Sequence, residues 1–547
     1  MNAAPLGPDG PASAGGDGVA PAPAGGGAGF APVGGGGGAP VPAGGGRASA
    51  LTGDGRASFL GGGGRAVSAE PVVEPARTDW LVRGLSESVG GPLGAHAVRP
   101  RRSAYGAPRF WTPVRIVLAL TVLALSLHWL QKSPCRDGAW ANLSQYRNLC
   151  YTDVLALYYA EGLADGKVPY RDHPVEYPVL TGALMGVLGL PVHAYAAARE
   201  GINEGEVFYD LNAIVLSALA VGTAAALLAL RRRRPWDAAM FALAPGLLLS
   251  ATVNWDLLAV GLTAFFMVAW ARRRAVTAGV LLALAVSAKF YPVLLLGPLV
   301  ILALRSGRVR RFLVTLGTAT ATWAAVNLPI WYLYPDSWLR FWHLNSTRGI
   351  DWGTFWYIGE HFPVADGGGF PWFRQLDQPA GHGALNAWYF GLFLIACAMI
   401  LLLGLSAPRR PRLGQLAFLV VAAFLVFGKV WSQQYVLWLL PLAVLARPRW
   451  GAFLAWQAAE VGYFVAFYGE LMGASGKGVF PEWVFVLAAM LRLGTLCVLM
   501  GFVVRDVLRP DLDVVRRTYD DDPDGGDFEG APDRGLVLTL EPAPAAR

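Results

Sequence analysis

Thirteen apolar segments run through the chain, at 111–130, 179–198, 210–230, 236–253, 257–271, 275–288, 291–304, 312–333, 384–404, 413–428, 434–446, 450–468 and 482–504. Most approach the ~20 residues that a helix needs to cross the hydrocarbon of a bilayer. This constrains the fold more than any other feature, because a backbone in lipid finds no water and must pair its N–H and C=O groups within the segment. A composition of 54% hydrophobic and 15% charged residues also leaves too little polar surface for a soluble protein. The expected fold is an all-α polytopic membrane protein.

Arginine runs at 231–234, 272–274, 305–311, 409–412, 447–449 and 505–517 assign one set of connections to the cytoplasm by the positive-inside rule. The net charge of +7 reflects these runs and points to no nucleic-acid partner. Every second connection then shares the outer face: Asn254-Trp255-Asp256, Lys289-Phe290-Tyr291-Pro292, the long 334–383 loop, 429–435 and 468–481. Arg101, Arg102 and Arg109 put the start of the first span inside, so that span delivers residues 131–178 outside, yet 210–230 must also start outside. Segment 179–198 is therefore expected not to cross simply. Its Gly189-Leu190-Pro191 break suggests a re-entrant or surface hairpin, which leaves about twelve crossings. An additional crossing near 190–209 is the competing account.

Residues 1–108, rich in Gly, Ala and Pro, lack the apolar surface to offset ordering entropy and read as a disordered cytoplasmic tail, with a brief interfacial helix at 80–85. They lack the charged start and apolar core of a signal peptide. Residues 109–505 form the transmembrane domain, with external loops at 131–178 and 334–383. Residues 506–547, with an acidic run at 520–522, read as an acidic disordered cytoplasmic tail.

The densest polar stretch is 150–178, CYTDVLALYYAEGLADGKVPYRDHPVEYP, which holds Asp153, Asp165, Arg171, Asp172, His173 and Glu176 in one connection. Val154, Leu157 and Tyr158 at helical spacing predict a surface helix over 154–163, stopped by Gly162 and the Asp165-Gly166 turn. Thr152 and Asp153 fall at its N-terminus, where a hydroxyl or carboxylate accepts otherwise unpaired backbone N–H groups. Asp153 thus has a capping reading beside a catalytic one. Cys135 and Cys150 bracket the start of this stretch and would tether it if bonded. Cys397 and Cys497 lie in apolar segments as small hydrophobes. No CxxC or HExxH spacing points to a metal.

Lys289 and Lys429 stand at the outer ends of spans, where the positive-inside rule does not call for cations. Each has a snorkelling reading, and as a pair on one face they suit an anionic lipid headgroup. Asp256, behind Asn254 and Trp255, has a helix-capping reading. The 334–383 loop adds Arg348 among aromatic residues.

The run YTDVLALYYAEGLADGKVPYRDHPVEYP, followed by VNWDLLAV, SAKFYPVLLL and WSQQYVLWLLPL, resembles the polyprenol-phosphate-sugar-dependent membrane enzymes of glycosyltransferase family 87, among them actinobacterial phosphatidylinositol mannoside mannosyltransferases. The likeness covers roughly 115–504 and leaves both tails outside. It implies a C-type glycosyltransferase bundle in a bacterial plasma membrane, with the site on the outer face and an acidic catalytic residue in the first external loop. Asp153 matches that residue, with Asp172 and Glu176 as alternatives.

On this resemblance Asp153 is the base for an acceptor hydroxyl, and positioned proton transfer is worth ~10²–10⁴ in rate. Glu176 and His173 orient the acceptor or hold the loop, while Asn254 and Asp256 bond sugar hydroxyls. Lys289, with Lys429 or Arg348, meets the departing phosphate. Gln433, Gln434 and Tyr435 complete the substrate-binding set. The implied reaction moves a hexose, mannose by the resemblance, from a polyprenyl-phosphate sugar to a lipid or glycan acceptor with inversion. It requires no metal and no cofactor beyond the donor. A transporter or flippase of lipid-linked sugars is the alternative; the inverted repeats and midplane charges it would carry are not evident. A non-catalytic scaffold would have no need of the clustered acids.

Overall fold

The structure, a computed structural model, describes residues 72–90, 110–363 and 368–535. Most of the expected N-terminal tail and residues 536–547 lie outside the described residues. Within them the chain is helical, with a single isolated bridge between Pro169 and His173 and no strand.

The principal helices are α1 (Trp80–Gly90), α2 (Pro113–Lys132), α3 (Asp153–Ala160), α4 (Val179–Ala197), α5 (Glu204–Leu230), α6 (Asp256–Ala271), α7 (Ala275–Ala288) and α8 (Leu296–Ser306). They continue with α9 (Val309–Leu333), α10 (Pro335–Thr347), α11 (Phe355–His361), α12 (His382–Ser406), α13 (Leu413–Phe427), α14 (Val436–Ala446), α15 (Trp450–Ala474) and α16 (Glu482–Leu508). Among the described residues, 6 of these are long and apolar enough to cross a membrane: α2, α4, α5, α9, α12 and α16. The shorter apolar helices fill the centre. α13 and α14 bury nearly every side chain and are apolar all round, as enclosed helices are. On α9 and α12, by contrast, Leu313, Tyr332, Ile395 and Met399 face outward, an apolar surface of the kind that lipid covers.

The arginine runs gather at one end of the bundle, and this end corrects the reading of the C-terminal segment. Residues 506–535 fold across it. Arg231 pairs with Asp524 at 2.6 Å, Arg412 with Asp513 at 2.7 Å, Arg305 with Asp533 at 2.6 Å and Arg410 with Asp521 at 3.0 Å. Asp513 and Asp524 are buried. The physical reason is charge: a buried guanidinium without a partner is costly, and each acid here removes such a cost. At the N-terminal side, α1 confirms a helix beginning at Trp80 and extends it to Gly90.

Two further expectations change. Segment 236–253 is not one helix but short turns at Pro235–Ala238, Ala239–Ala242 and Pro245–Ser250. Pro245 forces Ala244 into an extended conformation (ψ 122°) and ends the preceding turn there. Segment 179–198 does the reverse: α4 passes through Gly189-Leu190-Pro191 without a break. Its glycines serve close approach instead. A Cβ on Gly182 would lie 2.3 Å from the Tyr170 hydroxyl, and one on Gly189 would lie 3.2 Å from Leu163. The 162–170 turn therefore lies along α4. Both ends of α4 meet the same end of the bundle, because Thr181 donates to the carbonyl of Ala288 (2.7 Å) at the close of α7, and His193 lies 3.6 Å from Glu204 at the start of α5.

Candidate active site

Opposite the arginine end, the four polar blocks of the sequence converge. The segment 251–255 separates the short Pro245–Ser250 turn from α6 and leaves its carbonyls free to accept. His128 and Tyr209 hold the Thr252 side chain, each at 2.7 Å. Thr152 Oγ1 donates to the Thr252 carbonyl (2.6 Å), and the Asp153 N–H donates to the Val253 carbonyl (2.7 Å). The start of α3 is thereby fixed to this segment.

The capping question is settled at the same place. Thr152 Oγ1 accepts from the Val154 N–H, so Thr152 is the cap. The Asp153 side chain points elsewhere. Its Oδ2 accepts from Asn254 Nδ2 at 2.8 Å, and its Oδ1 is buried with no hydrogen-bond partner. Burial pushes this carboxyl up to about 7; the Asn254 hydrogen bond opposes the rise and the Glu176 charge adds to it. The Tyr151 hydroxyl and Lys289 also favour the charged form, although no well-formed hydrogen bond reaches Oδ1. A carboxyl that exchanges its proton near neutral pH in a dry site has the property of a general base.

Asn254 Nδ2 also donates to the Tyr177 hydroxyl at 2.6 Å. Two residues on, Asp256 is fully buried. Its Oδ1 accepts from Trp438 Nε1 (2.6 Å) and pairs with Lys289 Nζ (3.3 Å), while Oδ2 has no partner. The Lys289 ammonium lies 5.1 Å from the Tyr177 ring and 5.5 Å from the Tyr435 ring, within cation–π range. Tyr435 stacks on Trp438 at 3.9 Å. Asp153, Asn254, Asp256, Lys289 and Tyr435 thus form one cluster.

The other expected residues surround this cluster. Glu176 is partly buried, and its N–H donates to Glu161; burial raises its carboxyl, while Lys289 and Arg340 oppose the rise. His173 Nε2 lies 3.2 Å from Glu161, and burial lowers its ring with help from the Lys167 and Arg340 charges. Gln433 is buried, donates to the Tyr468 hydroxyl (3.4 Å) and leaves Oε1 unpartnered; Gln434 is buried beside it. Lys429 is a helix-end cation, since its ammonium donates to the Arg348 carbonyl just past α10. Arg348 pairs with Asp351 at 3.3 Å. Lys429 and Arg348 are thus engaged with the end of α10 and with Asp351, and make no direct hydrogen bond or ion pair to Asp153, Asn254, Asp256 or Lys289 among the described residues. Asp172 pairs with Arg171 on the surface (2.8 Å) and lies outside the cluster.

Several residues here were not singled out from sequence. Tyr177 and Trp438 lie within the quoted blocks, but nothing marked them above other aromatics. Glu161 is nearly buried, and burial raises its carboxyl to about 7. Lys132 is buried at the end of α2 and donates to the Tyr151 carbonyl at 2.9 Å. A lysine closing an apolar span was the signal used for Lys289 and would have found it. Arg340 is exposed on α10, with no ion-pair partner among the described residues, and its charge reaches Glu161, His173 and Glu176.

Beside the cluster lies a narrow cleft of about 20 Å³, little more than room for one water, lined by Tyr170, Tyr177, Phe290, Trp323, Trp338 and Trp342, among others. Tyr177 belongs to both cleft and cluster. The arrangement sets a carboxyl with one unpartnered oxygen near a lysine and a wall of aromatic rings. The disulfide Cys135–Cys150 ties the end of α2 to the residue before Tyr151. Among the described residues no group of three or more His, Cys, Asp or Glu has the arrangement of a metal site. No family model matches the chain, and no curated protein matches it.

Proposed function

We propose that this protein is a membrane glycosyltransferase of the C-type, related to family 87, that moves a hexose from a polyprenyl-phosphate sugar to a lipid or glycan acceptor with inversion. Mannose is the first sugar to test. The observation that carries the reading is the Asp153 carboxyl, held by Asn254 through one oxygen and with only the Tyr151 hydroxyl near the other, in a buried cluster drawn from four separate polar blocks. In the reaction the acceptor oxygen attacks the anomeric carbon and its proton passes to Asp153. The bond from that carbon to the phosphate oxygen breaks, and the lipid phosphate departs with the electron pair.

The departing phosphate needs cations. Lys289 already shares its charge with Asp256, so we assign Arg340 a part in meeting the phosphate. We read the chain as about twelve passes between the two ends with α4 lying across the site end, which the positive-inside rule puts on the outer face. A flippase remains the second reading: the buried Arg492–Glu460 pair (2.9 Å) midway along α15 and α16 is a charge of the kind it would carry, while the residues assigned to transfer gather at one end.

The test is transfer of radiolabelled mannose from polyprenyl-phosphate-mannose to total membrane lipids and glycans, by purified wild type and by Asp153→Asn. Transfer by the wild type alone supports both donor class and base. Equal transfer by both proteins removes Asp153 from the chemistry, and transfer by neither, with other polyprenyl-phosphate sugars tried, removes the glycosyltransferase reading.

A further inference from the structure

At the arginine end a second cavity, of about 450 Å³, opens between α15 and α16 with Trp80 of α1 at its edge. Its walls are apolar, built from Ala452 and Ala455 on one side and from Leu491, Val498 and Phe502 on the other. Gly494 faces open space, since a Cβ there would meet nothing within 4 Å. The mouth is different in kind. Arg447 and Arg449 stand there, and the Arg447 guanidinium lies 4.7 Å from the Phe502 ring.

The charge balance at this mouth differs from the rest of the same end. Arg231, Arg305, Arg410 and Arg412 each pair with an acid of the C-terminal segment. Around the groove Asp506 serves both Arg447 (3.2 Å) and Arg505 (2.8 Å), while Asp79, buried beside Trp80, is taken up by backbone N–H groups, those of α1 and that of Trp450 (2.8 Å). Arg449 meets no carboxylate among the described residues. It donates one N–H to the Leu512 carbonyl (2.8 Å), and its buried Nε has no partner. Three arginines stand against two acids, Asp506 and Asp79, so the mouth keeps excess positive charge at the end of an apolar channel.

We propose that this groove binds an anionic phospholipid, with its phosphate against Arg449 and Arg447 and one acyl chain lying along Gly494 between α15 and α16. A free anion would use the arginines and leave the apolar channel empty, whereas a zwitterionic lipid would fill the channel and leave the charge excess unmet. Trp80 sits where an indole is suited to the boundary between headgroup and acyl chain. The bound lipid would hold the 447–449 turn to α16 from the face opposite the proposed site.

Native mass spectrometry of the full-length protein, with phosphatidylglycerol and phosphatidylcholine of matched chains, tests this. The wild type is expected to retain phosphatidylglycerol about fivefold better per arginine engaged. Arg449→Gln should remove that preference, and Gly494→Leu, which fills open space and disturbs no packing, should lower retention of both lipids. Equal retention of the two lipids by the wild type overturns the proposal, as does a preference that survives Arg449→Gln or retention unaffected by Gly494→Leu. Full displacement of phosphatidylglycerol by excess inorganic phosphate would mark an anion site without a lipid channel and overturn it too.

Discussion

Replacing Asp153 by Asn is expected to move stability and turnover in opposite directions. The substitution keeps size and leaves an amide oxygen to accept from Asn254, which now bonds Oδ2 at 2.8 Å. It removes a carboxyl that burial holds at about 7 against an ordinary 3.8. A rise of that size disfavours the charged form in the folded protein by about 4 kcal/mol. Because the folded value lies above the unfolded one, the wild type keeps its full stability below about pH 4 and loses it as the pH climbs towards 7. The Asn variant has no such loss. Its stability relative to wild type should therefore grow across that window by up to about 4 kcal/mol, read by thermal unfolding in detergent at stepped pH. Turnover should fall by ~10²–10⁴ as positioned proton transfer is lost, with donor affinity nearly unchanged. In the wild type, kcat/KM should rise with pH through a value near that of the carboxyl. Turnover within about tenfold of wild type, or a stability difference that stays flat with pH, would refute the reasoning.

Four further substitutions test the surroundings. Lys289→Met strands Asp256 as a buried charge at a cost of about 3–5 kcal/mol; the double variant with Asp256→Asn should recover most of it in thermal unfolding, and failure to recover would deny the pairing. Arg340→Gln should leave the melting temperature unchanged, because the residue is exposed, while weakening donor binding by about tenfold, the scale of one charge-assisted hydrogen bond; unaltered binding would remove Arg340 from the phosphate site. Asp524→Ala should destabilise by about 3–5 kcal/mol by stranding Arg231, whereas the exposed Asp520→Asn should stay within about 0.5 kcal/mol; equal effects would mean that the C-terminal segment does not hold the bundle. Thr152→Val loses both a helix cap and a clamp on the Thr252 carbonyl, so unfolding should come about 1–3 kcal/mol earlier and kcat should fall more than donor affinity; a change in affinity alone would separate Thr152 from the positioning of Asp153.

Much of this fold is legible in the sequence because helices in an apolar environment are local. The expected 275–288 segment coincides with α7, and 257–271 differs from α6 by one residue. Prolines were harder to read, since the same residue ends a turn at Pro245 and is accommodated at Pro191. At Pro191 the glycine face of α4 is held along its length by the 162–170 turn, and that contact is not written in the neighbouring residues. The acidic C-terminal segment misled for a similar reason. Its composition is that of a solvated tail, and what folds it is a set of arginines up to 293 positions away, as with Arg231 and Asp524. The site was legible as blocks but not as roles. Lysines at the ends of spans pointed to cations, and only the structure separates Lys289 in the buried cluster from Lys429 at the end of α10.

The non-helical stretch 251–255, which follows the short Pro245–Ser250 helix, also explains why Asp153 sits where it does. Non-helical backbone within an apolar bundle must find partners for its carbonyls, since lipid supplies none. At Thr252 and Val253 those partners are the Thr152 hydroxyl and the Asp153 N–H, both from the start of α3. Satisfying the break therefore draws α3 inward and buries the first carboxylate of that helix against Asn254, the next residue of the same segment. The desolvation that raises the Asp153 carboxyl and the hydrogen bond that orients it follow from one backbone requirement. A helix continued through 251–255 would close its own carbonyls, release α3 to the surface and leave Asp153 an ordinary solvated acid.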